Sequence, residues 1–106
     1  MKILVYGTGV IGSVLAAKLW YASHEVYVCS RGERLNHIRE NGIVVRDVDT
    51  GKRIVTFPDI FLSDSGVEFH MIFVAVRFDQ LLEALPHIAS IPSGVVVFML
   101  NNPAGF

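Results

Sequence analysis

The chain begins with an apolar run, a glycine-rich turn and a second apolar segment: residues 3–19 read ILVYGTGVIGSVLAAKL. Ile3–Tyr6 is a continuous apolar stretch, which is typical of a strand buried on both faces. Glycines follow at positions 7, 9 and 12. The apolar residues after the turn recur at the spacing of one helix face: Ile11, Val14, Leu15 and Leu19. The stretch therefore predicts a strand, a tight turn and a helix in direct succession.

The rest of the chain repeats this alternation. Strands are predicted at Glu25–Cys29, 71–76 (MIFVAV) and 95–100 (VVVFML), because these runs are apolar, β-branched or aromatic. Glu33–Asn41 is predicted as a short, mostly solvated helix that ends at Gly42. A second helical face is formed by Phe78, Leu81, Leu82 and Leu85, and Pro86 is expected to end or kink that helix. Residues 43–48 and 53–57 are predicted to form a hairpin with Gly51 at positive φ, 58–66 a loop and 92–94 a turn.

Alternating strands and helices favour a parallel sheet with right-handed crossovers. We therefore predict an α/β fold: a doubly wound, Rossmann-type, mostly parallel sheet with helices on both faces and a β-hairpin excursion near residues 43–57. Residues 1–106 are expected to form one domain.

Composition limits the classes of function. The chain is 52% hydrophobic and 18% charged, which indicates a sheet buried on both faces or a surface that meets a partner. A net charge of −1 gives no indication of a nucleic-acid or membrane partner. No apolar run approaches the roughly 20 residues of a membrane span. Cys29 is the single cysteine, so we expect no internal disulfide, a buried apolar role for Cys29, and a reducing, cytoplasmic compartment.

The glycine turn is suited to binding a dinucleotide. Gly7 permits the tight turn, Gly9 lets a pyrophosphate approach the backbone, and Gly12 lets the helix pack closely on the sheet. The first amides of the helix then face the phosphates. The spacing alone is a weak signal, but its position between a strand and an amphipathic helix strengthens it. The predicted pyrophosphate site is Gly7, Thr8, Gly9, Val10, Ile11 and Gly12.

The end of the second strand indicates which nucleotide is bound. An NAD site usually has an acidic residue there, which binds the ribose 2′-hydroxyl. This chain has Ser30 and Arg31 instead. A guanidinium would bind a 2′-phosphate, whereas a carboxylate would repel it. Ser30 and Arg31 therefore predict NADP (NADPH) over NAD, and Arg34 could assist from the following helix.

Polar residues also follow two later strands, where ligands of such sheets bind. Arg77 could meet a phosphate or a substrate carboxylate, and Gln80 is a further candidate for the cofactor. Asp79 is expected to cap the helix. Asn102 could hydrogen-bond a substrate hydroxyl or carbonyl. The histidines do not have metal-ligand spacing, so we predict no metal site, and the chain offers no catalytic Ser/His/Asp set.

Four segments resemble ketopantoate reductases (2-dehydropantoate 2-reductases): KILVYGTGVIGSVLAAKL, SRGERLNHIRENGIVV, VAVRFDQ and LNNPAG. These segments occur in the same order as in the N-terminal domain of that family. The resemblance covers essentially the whole chain. It implies NADPH-dependent reduction of 2-dehydropantoate to pantoate in pantothenate biosynthesis. It implies that the glycines hold the pyrophosphate, that Arg31 holds the 2′-phosphate and that Asn102 contacts the substrate.

The sequence departs from the family at two positions. Arg77 stands where the family usually has lysine, and Pro103 replaces a glycine after Asn102. A reductase of another 2-keto or β-keto acid therefore stays open as an alternative. Two further alternatives are a stand-alone nucleotide-sensing module and a methyltransferase. Both commonly carry an acidic residue after the second strand, where this chain has Arg31.

The resemblance also implies a missing part. Family members continue into a helical C-terminal domain, which carries a lysine general acid and a substrate-binding glutamate. We therefore expect the 106 residues to be a fragment with no catalytic residue of its own and little activity. Its partner in the full-length protein would be a small keto acid. Apolar surface left open where that domain docks could drive self-association into a homo-oligomer.

Overall fold

The computed structural model describes residues 1–46, 48–62 and 65–99. The strands and helices follow one another along the chain as β1 (Lys2–Tyr6), α1 (Val10–Tyr21), β2 (Glu25–Cys29), α2 (Gly32–Asn41), β3 (Ile43–Arg46), β4 (Arg53–Thr56), β5 (Asp59–Ile60), β6 (Phe69–Val74), α3 (Phe78–Ala89) and β7 (Ser93–Phe98).

Five of the strands form a parallel sheet in the order β5-β2-β1-β6-β7. The chain runs outward from β1 through β2 to β5, and then returns to β6 on the other side of β1. The direction of winding therefore reverses between β1 and β6, which is where ligands of doubly wound sheets bind. The predicted fold class is confirmed. β3 and β4 form the separate antiparallel hairpin, with Gly51 at φ 70°.

Helices cover both faces of the sheet, because successive side chains of a buried strand point to opposite sides. Leu4 of β1 packs in a cluster with Ile72 of β6 and Ile88 of α3. Its neighbour Val5 packs in a second cluster, on the opposite face, with Ala16 of α1. β1 is thus buried on both faces at Ile3, Leu4 and Val5, as the continuous apolar run at residues 3–6 predicted.

The buried face of α1 differs from the predicted one. Its buried residues are small: Gly12, Ser13, Ala16 and Ala17. Leu15 and Leu19 pack only at the edge of the cluster, and Ile11 is 45% exposed. Small side chains let the helix axis lie close to the sheet, so the larger apolar residues flank the contact instead of filling it.

One additional strand and several element boundaries also differ from the sequence prediction. The predicted loop at residues 58–66 contains β5, which pairs with β2. β6 begins at Phe69 and β7 at Ser93, earlier than their apolar runs indicated. The helix α3 continues past Pro86 to Ala89. Pro86 deprives only the Leu82 carbonyl of its helical partner, and Leu82 is 79% exposed, so water can solvate that carbonyl.

The edge strand β7 is poorly covered, with Val95, Val96 and Phe98 exposed. This agrees with the expected apolar surface, and self-association through it stays a prediction. Within the described ranges, no helix combines the length and apolar character that a membrane crossing requires.

Candidate functional site

The three glycines between β1 and α1 have different surroundings. Gly7 has φ +102°, and a Cβ on it would lie 2.8 Å from the Ala75 carbonyl oxygen. A Cβ on Gly12 would overlap the Gly7 carbonyl oxygen, whereas a Cβ on Gly9 would meet nothing within 4 Å. The fold therefore explains the glycines at positions 7 and 12, as predicted. It leaves an open space at Gly9, where the sequence predicts that a ligand approaches.

The N-terminus of α1 faces that open space with free backbone donors. Gly9 is the N-cap and makes no side-chain cap hydrogen bond. Its carbonyl accepts from the Ser13 amide at 2.9 Å, while the amides of Val10, Ile11 and Gly12 have no partner inside the helix. These donors and the positive end of the helix dipole suit an anion.

The tip of β2 lies directly beside the glycine loop. Gly7 donates its amide hydrogen to the Cys29 carbonyl at 3.1 Å. The buried Thr8 hydroxyl donates to Ser30 Oγ at 2.9 Å. Arg31 follows as the N-cap of α2, with extended backbone and an exposed side chain. The structure thus brings Ser30 and Arg31 next to the glycine loop, as the sequence predicted.

Arg34 lies in the first turn of α2, and its side chain contacts the glycine loop and the start of α1. Its Nε donates to the Thr8 carbonyl at 3.1 Å, and its Nη2 donates to Ser13 Oγ at 2.8 Å. The guanidinium therefore binds the glycine loop itself, and its assistance to Arg31 with a 2′-phosphate stays a prediction.

Two clefts flank the glycine loop at the carboxyl ends of the strands. The larger one, of about 490 Å³, is lined by Tyr6, Gly7, Cys29, Ser30, Arg31, Phe61, Leu62, Val76, Gln80, Glu83, Ala84 and His87. The smaller one, of about 270 Å³, is lined by Gly9, Val10, Ile11, Ala75, Val76, Arg77, Phe78, Asp79 and Met99. Gly7 borders the larger cleft and Gly9 the smaller one, so an extended ligand that crosses the loop would reach both.

The wall of the larger cleft contains two groups with shifted pKa values. Burial raises the pKa of the Tyr6 phenol, and the nearby Cys29 raises it further. Burial also raises the pKa of the Cys29 thiol. The Arg31 guanidinium lowers the pKa of both groups, so its charge acts on this cleft. Tyr6 is also held by His87, with 2.7 Å between the phenol oxygen and Nδ1.

Arg77 and Gln80 follow β6 and line different clefts, Arg77 the smaller and Gln80 the larger. The exposed Arg77 guanidinium lies 3.2 Å from the Asp79 carboxylate. The predicted cap at Asp79 is wrong: Arg77 is the N-cap of α3, without a side-chain cap, and Asp79 lies in the first turn. Its carboxylate is bound by the arginine and does not cap the backbone.

Several residues of the site were not predicted from the sequence. Tyr6 and Cys29 end β1 and β2, so the rule that ligands bind at carboxyl ends could have found them. Cys29, which we expected to be buried, is half-buried. Phe61 and His87 come from distant segments, and only the tertiary structure brings them to the larger cleft. Asn102, the predicted substrate contact, lies outside the described residues.

The chain is similar in structure to several solved proteins. A structure of D-mandelate dehydrogenase with NADH and anilino(oxo)acetate has a TM-score of 0.81 at 25% identity, covering 95% of this chain and 34% of its own. A protein from Ralstonia solanacearum MolK2 assigned as a ketopantoate reductase has a TM-score of 0.83 at 25% identity, covering 93% and 31%. For 2-dehydropantoate 2-reductase from Methylococcus capsulatus, which shares the fold, the TM-score is 0.80 at 22% identity, covering 95% and 34%.

The chain therefore spans about a third of the length of these solved structures. No curated protein sequence matches it significantly. The family model described as ketopantoate reductase PanE/ApbA matches residues 3–105, nearly the whole chain. The resemblance seen in the sequence is confirmed, and the chain belongs to the ketopantoate reductase PanE/ApbA family.

Proposed function

We propose that this chain is the cofactor-binding domain of an NADPH-dependent reductase of a small 2-keto acid, with 2-dehydropantoate as the substrate that the family indicates. The observation that supports this most directly is Arg31. Its exposed guanidinium stands at the tip of β2, beside the glycine loop, and its charge acts on the larger cleft. A guanidinium binds a phosphate with charge-assisted hydrogen bonds.

Ser30 supports the same reading. Its Oγ accepts the hydrogen bond from Thr8, so its own hydroxyl hydrogen stays available to an anion beside Arg31. A 2′-phosphate would then receive one neutral and one charged donor from adjacent residues.

The rest of the site fits a dinucleotide. The open space at Gly9 and the first amides of α1 would hold the pyrophosphate. The larger cleft would then take the adenosine half, and the smaller cleft, with Ala75, Val76 and Met99 in its wall, the nicotinamide half. Bound there, the nicotinamide supplies the hydride, while the protein binds and orients it.

Arg77 lines the smaller cleft, where its positive charge would suit an anionic group. Asp79 restrains its guanidinium, and the free donors of the fork suit a cofactor phosphate or a substrate carboxylate. The same proposal includes substrate contact by Asn102 and a general acid outside these 106 residues. It also includes a role in pantothenate biosynthesis and a cytoplasmic location. Membership in a reductase family favours this function over a nucleotide-sensing module or a methyltransferase.

A second candidate is an NADH-dependent reductase of another 2-keto acid. The similarity to D-mandelate dehydrogenase, solved with NADH, favours it. So does Glu83, which is one of the residues that line the larger cleft. A carboxylate there would accept a hydrogen bond from a ribose 2′-hydroxyl and would repel a 2′-phosphate.

Calorimetric titration with NADPH and NADH separates the two candidates. A preference for NADPH of about tenfold or more, which is about 1.4 kcal/mol, supports the first; a preference for NADH supports the second. Binding of neither nucleotide by folded protein would refute both.

The variant Arg31→Ala tests the residue on which the proposal rests. It should remove most of the preference for NADPH and leave NADH affinity nearly unchanged, because NADH lacks the 2′-phosphate. Arg39→Ala is the matched control, since it removes the same charge from the last turn of α2, away from both clefts. An equal loss of both nucleotides in Arg31→Ala would contradict the role assigned to Arg31.

A further inference from the structure

Arg34, Ser13 and Thr8 form a closed hydrogen-bonded triangle behind the glycine loop. Arg34 Nε donates to the Thr8 carbonyl at 3.1 Å, and Nη2 donates to Ser13 Oγ at 2.8 Å. Ser13 Oγ in turn donates to the same Thr8 carbonyl at 2.9 Å. The arginine comes from α2 and the serine from α1, so the triangle joins the starts of two helices to the turn between β1 and α1.

The triangle fixes the orientation of one peptide group. The Thr8 carbonyl oxygen receives two hydrogen bonds and cannot rotate without losing both. The described part of the chain contains no cis peptide bond, and in a trans peptide the C=O and the following N–H point in opposite directions. Holding the Thr8 carbonyl therefore directs the Gly9 amide hydrogen away from Arg34, towards the other side of the loop.

The position of Arg34 in its own helix does not explain why an arginine stands there. It lies in the first turn of α2, which begins at Gly32. A cation at a helix N-terminus is unfavourable by about 0.3–1 kcal/mol, because the helix dipole is positive there. The favourable place for a cation is the last turn, where Arg39 lies. The contacts with the loop, and not the stability of α2, thus account for Arg34.

We propose that Arg34 is a positioning residue for the pyrophosphate of the bound dinucleotide, acting through the Thr8–Gly9 peptide. This inference rests on the proposed nucleotide-binding function. The two arginines act on different parts of the cofactor. Arg31 binds the 2′-phosphate directly, and Arg34 orders the loop that binds the pyrophosphate. Two of the Arg34 nitrogens are already engaged by protein acceptors, while its positive charge stays close behind the loop and favours an anion on it.

Two fragments of the cofactor separate these roles. ADP carries the pyrophosphate without a 2′-phosphate, and adenosine 2′-phosphate carries the reverse. By calorimetry, Arg34→Ala should lose about tenfold in affinity for ADP, or about 1.4 kcal/mol, and retain its affinity for adenosine 2′-phosphate. Arg31→Ala should show the opposite pattern, and the control Arg39→Ala should bind both probes like the wild type. A purely structural role for Arg34 would not produce this crossed selectivity.

Ser13→Ala provides a second test that keeps the charge of Arg34. It removes two sides of the triangle and should weaken ADP binding by about threefold, again without loss for adenosine 2′-phosphate. It decides the question if Arg34→Ala fails to fold. Arg34→Lys, which retains the charge but only one of the two directed hydrogen bonds, should recover part of the ADP affinity.

Four outcomes would overturn the inference. If the wild type binds ADP and Arg34→Ala binds it equally well, Arg34 does not position the pyrophosphate. Unchanged ADP binding in Ser13→Ala has the same consequence. Equal losses of ADP and adenosine 2′-phosphate in Arg34→Ala would point to general disruption of the domain. If the folded wild type binds neither probe and neither NADPH nor NADH, the proposed function itself fails, which distinguishes that failure from an error about Arg34 alone.

Discussion

The variants Gly9→Ala and Gly12→Ala test whether the glycine loop binds a phosphate or is only a turn whose backbone requires glycine. In Gly9→Ala the added methyl group meets no protein atom within 4 Å, and the φ of −70° and ψ of −160° suit alanine. Loss of the glycine N-cap lowers the free energy of unfolding by up to about 1 kcal/mol. The reduced entropy of the unfolded chain raises it by about 0.4–1 kcal/mol. The free energy of unfolding should therefore change little.

In Gly12→Ala the methyl group overlaps the Gly7 carbonyl oxygen. That oxygen belongs to the backbone of a turn at φ +102° and cannot easily move aside. Overpacking of this kind costs about 1–3 kcal/mol, and each 1 kcal/mol lowers the Tm of a domain of this size by about 4–8 °C. Gly12→Ala should thus lower the Tm clearly, whereas Gly9→Ala should not.

Thermal unfolding followed by circular dichroism measures the stability of each variant. Calorimetric titration with NADPH measures its affinity for the nucleotide. Gly9→Ala should fold normally and lose about tenfold or more in affinity, or about 1.4 kcal/mol, because the methyl group occupies the space predicted for the pyrophosphate. If Gly9→Ala binds as tightly as the wild type, the loop is a glycine turn without a phosphate. If Gly12→Ala is no less stable than Gly9→Ala, the packing argument is wrong.

Three further predictions concern the larger cleft and α3. Bound NADPH should protect the half-buried Cys29 from iodoacetamide, and Arg31→Ala should shift the alkylation profile to higher pH, because Arg31 lowers the thiol pKa; an unchanged rate with saturating NADPH would place the cofactor elsewhere. The pKa of the Tyr6 phenol is raised in the folded state. The contribution of the protonated phenol to the free energy of unfolding is therefore complete below the unfolded pKa of about 10, and it is lost as the pH rises through the folded pKa. Urea unfolding at about pH 9 and pH 11 should show a smaller loss of stability for Tyr6→Phe than for the wild type, and equal losses would contradict the assignment. Pro86→Ala should stabilise the protein by about 1–2 kcal/mol, because it restores a helical hydrogen bond to Leu82 at the cost of some unfolded-state entropy; urea unfolding that shows no gain would contradict this account of α3.

Much of the fold was predictable because the relevant signals are local. A strand buried on both faces must be apolar at every position, and Ile3–Tyr6 is. Gly42 and Gly51 both have positive φ, and the sequence predicted a helix end at Gly42 and a hairpin turn at Gly51. The two-residue strand β5 was not predictable, since Asp59 and Ile60 form a strand only because β2 lies beside them. The buried face of α1 was missed for a related reason: apolar spacing identifies a helix, but closeness to a sheet selects small residues.

For the candidate site, the sequence by itself determined the glycine loop and the Ser30–Arg31 pair, because both depend on backbone conformation and on charge at the ends of neighbouring strands. Only the tertiary structure decided the contacts of Arg34 and of the residues around Tyr6. Hydrogen bonds between α2 and the glycine loop, and between Tyr6 and His87, join segments far apart in the chain. Sequence spacing constrains which residues share a strand or a helix face, whereas such contacts depend on how the elements pack, which no local pattern encodes.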